Sequence, residues 1–104
     1  MKEINTMATQ QERRLFKQTI EKWGVDAQCM MAIEEMAELT KALCKVKRNG
    51  YTYTNESIQP LHEELADVRI MLDQLDYIFK FSDASIRQQK LARLKALLED
   101  NSST

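Results

Sequence analysis

Ala32-Ile33-Glu34-Glu35-Met36-Ala37-Glu38-Leu39 (AIEEMAEL) and His62-Glu63-Glu64-Leu65-Ala66-Asp67-Val68 (HEELADV) write one acidic phrase twice. Superposed at an offset of 29 residues, Glu34 falls on Glu63, Glu35 on Glu64 and Glu38 on Asp67. At about 100° per residue, Glu64 and Asp67 lie in a stripe with Met71, Leu75 and Ile78, beside the apolar face of Leu61, Leu65, Val68, Leu72, Leu75 and Phe79. Glu35 and Glu38 share a stripe with Met31 and Ala42, flanked by Leu39. Glu63 points to solvent, and Glu34 lies on the far side of its helix with Lys41 and Lys45. Both phrases therefore read as helical, each placing an i,i+3 carboxylate pair where a packing helix ordinarily carries leucines.

The surrounding chain supports helices throughout. Its 104 residues contain two glycines and one proline, so there are few points at which a helix must stop. Thr9 to Lys22 forms the first expected helix, closed by Trp23 and Gly24 as a C-cap. Asp26 is the expected cap of a second helix running to about Arg48, where Asn49-Gly50 ends it. A loop, YTYTNESI, follows. Asn55 or Ser57 caps a third helix, with Pro60 in its first turn and its end near Phe81. Ser82 or Asp83 caps a fourth, to about Glu99. No segment alternates apolar and polar residues convincingly, and a strand at Tyr51–Tyr53 would have no partner. The expected fold is one all-α domain over 1–104, a four-helix bundle built on a long antiparallel hairpin, with flexible tails at 1–8 and 100–104.

Composition narrows the function. Fifteen basic and sixteen acidic residues give a formal charge of −1. That balance argues against nucleic acid or an anionic membrane as partner, since both demand clustered positive charge. No apolar run approaches a membrane span and the N-terminus has no apolar leader core, which makes the cytoplasm the expected location. Cys29 and Cys44, fifteen residues apart on one helix, lie too far apart to bridge and read as small core residues.

If the second and third helices form a hairpin, the two carboxylate pairs converge. Four such groups near a core repel one another and lose hydration, so either their pKa values rise or a cation sits between them. An all-oxygen set suits Mg²⁺, with Mn²⁺ as a substitute. The one histidine, His62, is not three residues after a glutamate, which disfavours a di-iron bundle. A single ExxE pair is ordinarily a solvated helix surface; two in register, both in apolar stripes, are not ordinary.

At these residues the sequence resembles the MazG-like all-α nucleoside triphosphate pyrophosphohydrolases, whose signature is EExxE, a spacer, then ExxD. Glu34-Glu35-Met36-Ala37-Glu38 and Glu64-Leu65-Ala66-Asp67 match it, with 25 residues (39–63) between them. The similarity runs from about Trp23 to Glu99. The resemblance implies Mg²⁺ ligands at Glu35, Glu38, Glu64 and Asp67. The implied reaction is hydrolysis of a nucleoside triphosphate to a monophosphate and pyrophosphate, in the service of the nucleotide pool. Glu34 or Glu38 would act on the attacking water. Phosphate-gripping basic residues are implied at Lys90 and Arg93, for which the alternative is a plain solvated face. Leu94 stands where some relatives carry asparagine. Trp23 is a candidate for stacking on the base, or a helix-end packing residue, and Gln28, on the same side of helix 2 as Glu35, for hydrogen bonding to the substrate; Met31 and Met71 are candidate pocket walls. A non-catalytic interaction bundle and a metal-binding regulatory module are the alternatives. The apolar arcs of helices 2, 3 and 4 are wider than one chain can cover, so a homo-oligomer is expected. The resemblance implies dimers or tetramers.

Overall fold

The structure is a computed structural model that describes residues 8–52, 54–80 and 83–102. Those residues form four helices and no strand: α1 (Gln10–Trp23), α2 (Val25–Arg48), α3 (Asn55–Phe79) and α4 (Ala84–Ser102). None is long and apolar enough to cross a membrane.

Local chemistry sets most helix ends. Thr9 caps α1 in a reciprocal box: its hydroxyl accepts from the Glu12 N–H at 3.0 Å, and the Glu12 carboxylate accepts from the Thr9 N–H at 2.8 Å. Gly24 (φ +92°) closes α1 and opens α2 within one residue, a left-handed conformation for which glycine pays no Cβ penalty. Asp26 is therefore not the cap of α2; it lies in the first turn, its charge favourable to the helix dipole. At the other end of α2 the Gly50 N–H donates to Lys47 O and the Tyr51 N–H to Val46 O. This is a Schellman closure around Gly50 at φ +70°. Tyr51 also takes a positive φ, 61°, and the chain turns there without a strand.

Three expected boundaries move. The carbonyl of Thr54 accepts the first helical bond of α3, from the Ile58 N–H, so the helix begins well before Pro60. The proline sits inside α3 rather than in its first turn. Its ring has no N–H for the Glu56 carbonyl, and the helix absorbs that loss near its end. The other end of α3 is Phe79. Asp83 accepts from Arg87 at the start of α4, while Phe81 and Ser82 lie outside the described residues. α4 itself continues through Asp100 to Ser102, where a frayed tail was expected. Residues 1–7 and Tyr53 also lie outside the described part.

The α2/α3 hairpin is the body of the molecule, with α1 laid across it. Ala32 and Val46 of α2 and Val68 and Met71 of α3 are buried between the long helices. Phe16 of α1 is buried too, its ring 6.3 Å from that of Tyr77 in a tilted pair. A polar bridge fixes α1 on α3. Buried Gln74, 3% exposed, donates from Nε2 to the Thr19 hydroxyl, which donates to Phe16 O.

Much apolar surface remains uncovered. Leu72 and Phe79, expected in the core, are exposed, as are Met30, Ile33, Met36 and Leu43 on α2. Cys44 is exposed as well, so only Cys29 is partly covered. α4 makes no helix–helix contact among the described residues. The Cα radius of gyration is 17.4 Å, against about 13 Å for a compact chain of this length.

Candidate metal centre

The hairpin brings the two acidic phrases together. Side-chain oxygens of Glu35 on α2 and of Glu64 and Asp67 on α3 lie within 4.8 Å of one another. Glu35 and Glu64 are half-buried and Asp67 is exposed, so the cluster sits at the rim of the helix interface. Glu64 Oε1 is shielded from solvent and has no hydrogen-bond partner. Its carboxyl is pushed above the ordinary range, first by desolvation, then by the charges of Asp67, Glu35 and Glu38.

Glu38 does not join the three-oxygen group. It lies one turn along α2 from Glu35, 52% exposed, with Lys41 Nζ 3.8 Å from its Oε1. An exposed pair at that distance contributes little to stability. Lys41, expected on the far side with Glu34, instead reaches Glu38 by the ordinary i,i+3 neighbourhood of a helix. Glu34 and Glu63 point to solvent, as their angular positions required.

The donor set suits a hard cation. Three carboxylates supply oxygen only, and Mg²⁺ holds such ligands at about 2.1 Å, so oxygens on opposite sides of it are about 4.2 Å apart. A spread of 4.8 Å needs only small side-chain rotations to reach that size. The unpartnered Glu64 oxygen is what a cation would satisfy.

At the α1–α2 junction and the first turns of α2, Trp23, Ala27, Gln28 and Met31 line an open depression of about 240 Å³. Gln28 is buried and Trp23 exposed. Gln28 and Glu35 are seven residues apart on α2, about 10 Å along the axis. Ala27 was not anticipated; it stands one turn before Met31, and the i,i+4 relation would have found it. A larger depression, about 290 Å³, lies between α1 and the end of α3 against Lys17, Glu21, Tyr77 and Lys80, and none of Glu35, Glu38, Glu64 and Asp67 lines it. Met71 is packed in the core, so of the two candidate methionines Met31 lines the depression and Met71 does not.

Lys90 and Arg93 are exposed on α4, and this chain's own fold does not carry them to the carboxylates. Helical spacing put them on one face, but the position of α4 is a tertiary matter. Compared with protein-family models, with curated proteins and with solved structures, the chain matches none.

Proposed function

We propose that the chain is a divalent-cation-dependent nucleoside triphosphate pyrophosphohydrolase of the MazG-like type, working in the cytoplasm on the nucleotide pool. The observation that carries the reading is the meeting of Glu35, Glu64 and Asp67 across the hairpin around an oxygen that no protein group satisfies. These three residues would hold Mg²⁺ or Mn²⁺, with Glu38 joining from the adjacent turn. A cation held there supplies charge neutralisation at phosphate oxygens and a more acidic water.

The chain's own groups supply the rest. Glu38, close enough to raise Glu64 but outside the tight group, would orient a water or take its proton. Glu34, on the solvent side, is the weaker choice for that role. Trp23 offers a flat apolar face to a base, and Gln28 an amide with both a donor and an acceptor. Lys90 and Arg93 grip phosphate once α4 is seated. The exposed leucines of α4 and the uncovered faces of α2 and α3 support a homo-oligomer, a dimer or a tetramer, in which the helices complete their bundle packing.

The separation of Lys90 and Arg93 from the carboxylates favours a second reading, a metal-binding regulatory module without turnover. Incubation with a panel of ribo- and deoxyribonucleoside triphosphates and Mg²⁺, scored for pyrophosphate against orthophosphate, separates the two. Pyrophosphate release that excess chelator abolishes is the expected result. Orthophosphate as direct product, or full activity in chelator, overturns the enzyme reading.

A further inference from the structure

We propose that the depression between α1 and the end of α3 is a binding site for a small aromatic monocarboxylate. None of Glu35, Glu38, Glu64 and Asp67 lines it, so it stands independently of the metal-site reading. Its volume, about 290 Å³, falls at the lower end of the range for ligand pockets, roughly 300–1,000 Å³, and suits a body of one or two rings. The walls are preformed. Tyr77 is half-buried, and its ring is backed by that of buried Phe16 at 6.3 Å. The bridge from Gln74, one turn before Tyr77, to Thr19 ties α3 to α1 and so fixes both sides. Ile20, Val25 and Ile78 complete an apolar surface on which a flat body can lie.

The rim supplies the charge. Lys17, Glu21 and Lys80 reach it, and none of them is in an ion pair among the described residues. Two ammonium groups against one carboxylate leave one net positive charge, which matches a ligand with a single negative charge; a dianion would leave the site net negative. Lys80 gives the clearest sign of use. It holds φ +51°, a left-handed conformation that glycine adopts without a Cβ penalty and that other residues rarely take. A residue needed only to end α3 would be glycine, as Gly50 is after α2. Strained backbone of this kind persists where the side chain has a task. The Lys80 ammonium is folded back to 5.6 Å from the centre of the Tyr77 ring, which places a cation over the flat wall. Its three N–H groups cannot all face the ring, so donors remain for a carboxylate oxygen.

The test is calorimetric titration of the full chain with β-naphthoate, and with β-naphthamide as its neutral isostere. Chelator is present throughout, so that the probe cannot bind through a cation at the carboxylate cluster. Naphthoate should bind, and naphthamide about 10-fold more weakly, the worth of one hydrogen bond to a charged group. Lys80→Gly should weaken naphthoate by about the same factor while Tm stays level or rises, because glycine relieves the left-handed backbone. Lys80→Gln keeps the backbone strain and removes the charge, and should weaken naphthoate equally. Binding lost in both variants with Tm maintained in Lys80→Gly supports the site, since no folding defect accounts for it. Absence of naphthoate binding at millimolar concentration, or equal affinity for the acid and the amide, overturns the proposal. Naphthoate affinity unchanged in both variants also overturns it, placing the probe on the exposed apolar faces instead.

Discussion

Replacing Thr19 with valine tests the bridge that holds α1 against α3, and with it the assignment of α1 as a fixed part of the body. The substitution keeps the shape of the side chain but deletes the hydroxyl that accepts from Gln74. Gln74 is only 3% exposed, so water cannot easily replace the lost partner. An orphaned buried donor costs about 1–3 kcal/mol. For a domain of this length each kcal/mol lowers Tm by about 4–8 °C. The expected drop is thus roughly 5–20 °C, read by far-ultraviolet circular dichroism at one fixed protein concentration, since assembly makes Tm concentration-dependent. Gln74→Leu added to Thr19→Val removes the orphan and should recover much of the loss, a coupling of about 0.5–3 kcal/mol. If Thr19→Val melts within about 2 °C of the parent, the bridge contributes nothing net and the reasoning fails.

Three further outcomes are expected. Asp67→Asn and Glu35→Gln should abolish both pyrophosphate release and stabilisation by Mn²⁺ while leaving the metal-free fold no less stable, whereas Glu63→Gln, on the solvent side, changes neither; a retained Mn²⁺ response in Asp67→Asn refutes the ligand set. Because the Glu64 carboxyl is raised in the folded chain, its contribution to stability is fully present below the unfolded value of 4.5 and is lost as pH rises through the folded value. Asp73 and Asp76, also raised by desolvation and neighbouring acids, act in the same sense, so the informative quantity is the flatter pH dependence of Asp67→Asn in urea titrations from pH 4.5 upward. Trp23→Ala should raise KM about 10-fold, the worth of one stacked base, with little change in Tm because the ring is exposed; an unchanged KM across the nucleotide panel removes Trp23 from the site.

Helix existence was legible in the sequence because its causes act within a turn. The Thr9–Glu12 box, the left-handed glycines at 24 and 50, and the 3.6-residue spacing of apolar side chains all operate over four residues or fewer. The same short-range geometry placed Glu34 and Glu63 in solvent and set Glu35, Glu64 and Asp67 on inward-leaning stripes. Pro60 misled for a local reason: proline favours a first turn, but Thr54 could start the helix earlier and the cost of one missing bond near the end was tolerable.

Tertiary structure decided what short spacing cannot reach. Glu35 and Glu38 were equivalent members of one stripe, yet only Glu35 faces Glu64 and Asp67, because the point at which α2 meets α3 selects one turn and leaves the next to solvent and Lys41. Gln74 and Thr19 are 55 residues apart and gave no sign of each other until α1 lay across α3. Lys90 and Arg93 share a helical face by spacing alone, but α4 stands clear of the hairpin. Where that face ends up is settled by packing among helices, and packing energy depends on surfaces that meet only after the chain has folded back or found a second copy.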